Sequence, residues 1–305
     1  MPFHDFEHKV TFPCKELVRN LQPLRFKDLP ISNFGPLDDL LQLSEIVCDI
    51  KTSAIILNTM DFLECSSLAQ LQKHCQVPFF SVGPLHKMAP SSSSTNLLQE
   101  DIKCIAWLDK QAPNSVLYVS LGSLVTMDEK ELIEIAWGLA NSDHPFLRVV
   151  RFGSIHGAKG VDLLPLGFRE IIAERGCIVK WAPQKEVISH NAVGGFWRHC
   201  GWNSTLESIF EGVPMICRPC FEDQRVNTRY LCHVLRVGLE LEHASDREEI
   251  ERAIKRLLVE KEGEETRQRA IDMKEKVKVS VGKCGSSGKS LNDLTEFILS
   301  FLLPK

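Results

Sequence analysis

From residue 116 onward the chain alternates short apolar runs with runs of helical spacing, and this alternation limits the possible folds more than any other property of the sequence. Apolar stretches of strand length cover 116–120, 146–150, 177–181, 193–197, 213–217 and 237–241. Helix-patterned stretches over 128–140, 184–190, 204–211, 223–235 and 246–260 lie between them. Short strands that are apolar on both faces, each followed by an amphipathic helix, predict an α/β fold with a parallel sheet covered on both sides. Thr126 and Glu129 read as a capping box for the first of these helices. Two more helical stretches, 263–280 and 290–302, end the chain.

The amino-terminal third is less regular. Pro2, Pro13, Pro23 and Pro30 interrupt a segment with little periodicity. Residues 37–52 and 64–76 then read as helices and 54–58 and 77–82 as strands, a βα fragment without its opening. Residues 84–99, with Pro90 followed by Ser91, Ser92, Ser93 and Ser94, read as a linker. The expected division is a partial domain over 1–83, a linker over 84–100, a ligand-binding domain over 101–289, and a final helix over 290–305 packing back on the amino-terminal part.

Residues 181–224 concentrate the polar side chains at strand ends. Trp181 follows the apolar run 177–179, at the carboxyl end of a strand, where open α/β sheets bind ligands and an indole can stack on a flat heterocycle. Between the strand at 193–197 and the helix at 204–211 lies a turn, His199, Cys200, Gly201, Trp202 and Asn203. Its glycine permits close backbone approach, and Asn203 and Ser204 can cap the helix that follows. The helix start offers unsatisfied N–H groups and a positive dipole end to a phosphate, and His199 can add a donor or, near neutral pH, a charge. Asp223 and Gln224 follow the next strand, offering a carboxylate and an amide to neighbouring hydroxyls. Ser123, behind Gly122, ends the strand 116–120 on the same edge. Base, phosphate and sugar are the three parts of a nucleotide sugar.

Each residue also has a plainer reading. Trp181 can be a core tryptophan, His199 structural, Ser123 a loop serine. Glu207, three residues after Ser204, can complete a capping box, while Gln184, Asp223 and Gln224 can simply open helices.

The spacing of these residues resembles the signature box of plant family-1 UDP-glycosyltransferases: WAPQ from Trp181, HCGWNSxxE from His199, and a closing DQ at Asp223 and Gln224. Outside the box, residues 118–123, 146–151 and 182–187 are also similar to that family. Residues 24–30 and 58–61 look closest to its cytokinin and steviol glucosyltransferase group. The resemblance implies a GT-B type fold, two Rossmann-like domains facing each other, with the amino-terminal (acceptor-side) one incomplete in this chain. It also implies a UDP-sugar site in which Trp181, Ala182 and Gln184 meet uracil and Glu207 holds the ribose. Ser123, His199, Gly201, Asn203 and Ser204 would surround the diphosphate, and Trp202, Asp223 and Gln224 would face the sugar, with Gln224 leaning towards glucose.

The reaction so implied is transfer of the sugar, with inversion, to a hydroxyl of a small lipophilic plant metabolite, a flavonoid or hormone. The family's catalytic His and its partner Asp have no match here, and His4 and His8 stand at the wrong place in the pattern, so no catalytic residue is assigned. A catalytically silent donor-binding protein is therefore the alternative. Four departures bear on it: Arg148 inside an apolar strand, Arg198 beside the diphosphate turn, Cys220 in place of an aromatic, and Glu222 before Asp223.

Composition narrows the remaining possibilities. A net charge of −4 gives no reason to expect nucleic acid, and no apolar run approaches the length of a membrane span. The amino terminus carries no signal-peptide pattern, so a cytoplasmic location is the expectation; a monomer is expected as well. Eleven scattered cysteines fit a reducing compartment. Cys217 and Cys220 form a CxxC between a strand and a helix, which leaves a redox protein as a remote alternative. Neither zinc nor any other metal or cofactor is expected beyond the donor itself, because a second CxxC is missing. Gly285 to Ser290 imitates a P-loop, but Lys283 stands where the first glycine is required, and it reads as a turn.

Overall fold

A computed structural model describes residues 16–18, 22–29, 52–88, 98–151, 153–155, 164–221, 223–242 and 246–302. Expectations that fall on Pro2, His4, His8, Pro13, Pro30, most of the helix at 37–52, the serine run at 91–94 and Glu222 lie outside them.

Six parallel strands, β3 (Val116–Ser120), β4 (Phe146–Val149), β5 (Gly176–Val179), β6 (Val193–Arg198), β7 (Met215–Cys217) and β8 (Gly238–Glu240), form one sheet in the order β5-β4-β3-β6-β7-β8. The chain runs outward from β3 through β4 to β5, then returns to place β6 on the other side of β3. Loops after β3 and β6 therefore diverge, opening a crevice at the carboxyl edge.

Alternate side chains of β3 enter opposite cores, as the two-residue period of a strand dictates. Leu117 and Val119 pack beneath α4 (Glu129–Asn141) and α9 (Arg247–Leu258). Val116 and Tyr118 pack on the other face with Leu108, the last residue of α3 (Lys103–Leu108), and with Val187 and Ile188 of α6 (Gln184–Ser189). The face of α4 that carries Leu132, Ile135, Ala136 and Leu139 is fully buried, as helical spacing requires. Its cap is Asp128, whose carboxylate accepts from Glu131 N at 2.7 Å, so the box proposed for Thr126 and Glu129 does not form. Asp128 is two residues nearer the first helical turn than Thr126, where a carboxylate also meets the dipole.

On the same face of the sheet as α6, α7 (Trp202–Glu211) packs on α10 (Lys261–Val281), with Leu206, Ile209, Met273 and Val277 buried alongside Met215 and Cys217 of β7. Helix α8 (Gln224–Arg229) continues into a π-helical turn over Tyr230–Val234.

The amino-terminal residues form a βαβ unit: β1 (Ile55–Leu57), α1 (Asp61–His74) and β2 (Phe79–Ser81), the two strands parallel and joined to a short α2 (Leu85–Met88). The final helix, α11 (Ser286–Ser300), packs on this unit, with Leu294 in its core and the Phe297 ring 5.5 Å from that of Phe80. This helix starts four residues earlier than the pattern suggests. Gly285 is its N-cap, so the P-loop imitation is mostly a helix start and not a turn.

Candidate functional site

At the switch point the His199 ring is held between two glycines. A Cβ on Gly122, which has φ +80°, would come within 2.5 Å of His199 Cε1, and one on Gly201 within 2.7 Å of Nε2. Only glycine lets the two loops close on the imidazole from both sides. Burial, and then the neighbouring Arg198 charge, push the His199 pKa down to about 4. The imidazole is therefore neutral near pH 7, which removes the positive charge considered from the sequence and leaves one ring nitrogen to donate and the other to accept. Its Nδ1 is buried without a partner among the described residues.

Helix α7 begins behind this ring. Gly201 is its N-cap and Trp202 its first residue, so Asn203 and Ser204 lie inside the first turn and are not caps. The N–H groups of that turn have no intrahelical acceptor and open towards the crevice end of the helix. The Ser204 and Thr205 hydroxyls both donate back to Gly201 O, at 3.3 and 3.0 Å. Ser123, exposed on the loop after β3, stands next to Gly122 at the same edge.

Two residues expected on the nucleoside are bonded to each other. Gln184, at the start of α6, donates from Nε2 to Glu207 Oε2 at 2.7 Å, and its Oε1 accepts from the buried Tyr118 hydroxyl at 3.4 Å. Tyr118 thus fixes the amide so that its donor faces Glu207, engaging one of the two carboxylate oxygens. Glu207 is not part of a capping box; helix α7 starts two residues before Ser204, placing Glu207 in its second turn. Trp181 is half-buried just beyond β5, its carbonyl accepting from Asp101 N at 2.9 Å, and Ala182 beneath it is buried.

The residues expected to meet the sugar face several ways. Asp223 is exposed and its Oδ2 accepts from Asn227 at 2.8 Å. Gln224 is turned inward, 3% exposed, with Oε1 accepting from Cys220 N at 2.9 Å and Phe221 N at 3.1 Å. Its carbonyl end is committed to the loop, which leaves only the amide nitrogen for a ligand. The Trp202 indole donates to Asn58 O at 2.7 Å, across to the amino-terminal part. Asn58, which the sequence singled out only as a subgroup feature, joins the site through this bond and through its side chain.

Arg198 is fully buried behind the turn, where its guanidinium donates to Gly201 O and to Met215 Sδ at 3.5 Å. Burial lowers its pKa, and among the described residues no carboxylate lies within ion-pair distance. It neither reaches into the crevice nor obstructs it. The CxxC does not form a redox pair: Cys217 is fully buried, Cys220 is half-buried with its pKa raised by burial, and both are free thiols. A redox dithiol needs an accessible, acidified sulfur.

Comparison with known proteins agrees with this geometry. The family model described as UDP-glucoronosyl and UDP-glucosyl transferase matches residues 93–269. UDP-glycosyltransferase 76E1 of Solanum lycopersicum is 53% identical over 302 residues, 98% of this chain and 62% of the relative. Flavonol 3-O-glucosyltransferase UGT76E12 of Arabidopsis thaliana is 50% identical over 93% of this chain and 62% of its own length. Among solved structures, Phytolacca americana UGT2, complexed with UDP-2fluoro-glucose and pterostilbene, superposes with a TM-score of 0.78 at 34% identity, covering 94% of this chain and 63% of that one. The chain thus spans about three fifths of the length of the curated relatives it matches. A crevice built from two glycine-closed loops around His199, on a GT-B type α/β sheet, together with these likenesses, places the chain in the plant UDP-glucosyl and UDP-glucuronosyl transferase family.

Proposed function

We propose that this chain binds a UDP-sugar at the β3/β6 crevice and is the donor side of a glycosyltransferase that moves the sugar, glucose first, to a hydroxyl of a small lipophilic plant metabolite such as a flavonol. The observation that carries the reading is the convergence at one sheet edge of Trp181, the Gln184–Glu207 pair and the open first turn of α7. In that order they match a base, a ribose and a diphosphate. The acceptor oxygen would attack the anomeric carbon from the face opposite UDP, inverting it. As the bond to the diphosphate breaks, UDP leaves with the electron pair, and the N–H groups of the first turn of α7, that of Ser204 among them, stabilise that charge with the side chains of Asn203 and Ser123. The domain division given above is proposed with it, the crevice residues lying on 101–289.

Deprotonating the acceptor needs a base, and one observation favours a second reading in which the chain binds donor without transfer. Among the described residues the histidine–carboxylate contacts are His190 with Asp109 at 3.2 Å and His233 with Glu240 at 3.6 Å. His190 precedes β6, at the edge opposite the crevice, and His233 lies on the π-turn of α8. Incubating the chain with UDP-glucose and a flavonol panel, and measuring glucoside and released UDP, separates the readings. Glucoside lost in Glu207→Ala supports transfer. Bound UDP-glucose without glucoside supports the second reading, and absence of both refutes the donor site.

A further inference from the structure

Asn58 lies at the end of β1, 145 residues before Asn203 in sequence, yet three hydrogen bonds fix it to the site. Its Oδ1 accepts from Leu85 N at 2.9 Å, its Nδ2 donates to Asn203 Oδ1 at 3.1 Å, and its carbonyl accepts the Trp202 indole N–H at 2.7 Å. A backbone N–H can only donate, so the atom of Asn58 facing Leu85 must be the amide oxygen. Its planar group then presents NH2 on the other side. That NH2 can also only donate, so the Asn203 atom it meets must be the carbonyl oxygen. Asn203 is thereby turned with its own NH2 away from Asn58, beside the unsatisfied N–H groups of the first turn of α7.

We infer that Asn58 is a positioning residue for the diphosphate: it holds the Asn203 amide so that donors, and not a carbonyl, face the anion. The inference rests on the donor-site reading above. Without Asn58 the Asn203 amide has no fixed sense, and in one of its two orientations a partial negative charge opposes the phosphate. The bond from Trp202 runs to the main chain of Asn58, so it survives substitution of the side chain and keeps the amino-terminal part in place.

Calorimetric titration of the chain with UDP and with uridine tests this. In Asn58→Asp the carboxylate still accepts from Leu85 but offers an acceptor to Asn203, which must turn its NH2 towards residue 58 and its carbonyl towards the phosphate. UDP affinity should fall at least about tenfold, as for a lost hydrogen bond to a charged group. Uridine affinity should not change. In an Asn203→Ala background, Asn58→Asp should cost nothing further; a loss that persists there is the direct effect of the new charge and overturns the inference, as does unchanged UDP affinity in the single variant. Should Asn58→Asp fail to fold, Asn58→Ala takes its place, with a smaller loss confined to UDP expected and equal losses for UDP and uridine refuting. If the unsubstituted chain binds neither ligand, the donor-site reading itself has failed, and the inference with it.

Discussion

Replacing Arg148 by methionine should stabilise this protein. Arg148 sits on β4 between Val119 of β3 and Ile178 of β5, only 3% exposed, with Nη2 donating to Met127 Sδ at 3.8 Å and Nη1 without a partner among the described residues. Beside it is a cavity of about 20 Å³ lined by Val119, Val125, Met127 and Ile135, room for about one water molecule. Burial alone brings the guanidinium pKa down to about 10. Each tenfold loss of proton affinity is worth about 1.4 kcal/mol, so carrying the cation folded costs about 3 kcal/mol at neutral pH. The folded state binds its proton less tightly than the unfolded state, so stability rises as pH climbs through about 10, and the cost is fully present below it. Methionine is of similar length, carries no charge and adapts to irregular space. Urea unfolding of Arg148→Met at pH 7 should give a gain of about 1–3 kcal/mol, and the gap from the unsubstituted chain should narrow above about pH 10. Equal or lower stability of Arg148→Met would refute the argument, since it would mean the buried guanidinium is fully compensated.

Two further outcomes follow from the His199 pocket. Gly122→Ala must adopt φ +80° and press on the imidazole, so it should cost on the order of 1–3 kcal/mol in thermal or urea unfolding and also weaken UDP binding; a neutral effect on both would show that the loop is not closed on His199. Because the folded His199 pKa is about 4, the unfolded chain binds a proton that the folded chain does not between that value and the ordinary histidine range. Stability should therefore fall as pH drops through this window, and the fall should be shallower in His199→Gln when unfolding is followed from pH 7 to pH 4. Parallel slopes for the two proteins would contradict a neutral, buried imidazole.

How far the sequence was legible follows from what each signal depends on. Strand and helix order is written in local periodicity, and every strand of the main sheet fell within a few residues of its pattern. The ends were harder to read, because caps depend on which of several eligible residues meets the helix. Asp128 displaced Thr126, and Gly201 began α7 before the Asn203 and Ser204 expected to cap it. Strand-end position placed Trp181 and His199 on one edge of the sheet, and only the family resemblance added Glu207 to them. Neither could show that Gln184 and Glu207 bond to each other, that Gln224 turns inward, or that Arg198 lies behind the turn. Those facts depend on side-chain direction, which a single strand register or loop conformation decides. Asn58 carried no signal of its role, since its partners are remote in sequence and meet it only when the amino-terminal unit docks on α7.

The central claim, that the crevice around His199 is a uridine diphosphate site, is tested most directly by calorimetric titration of the chain with UDP beside its Trp181→Ala and Glu207→Ala variants. Saturable one-to-one binding that both substitutions weaken is the predicted result. Absence of binding by the folded, unsubstituted chain, or binding that neither substitution alters, would contradict it.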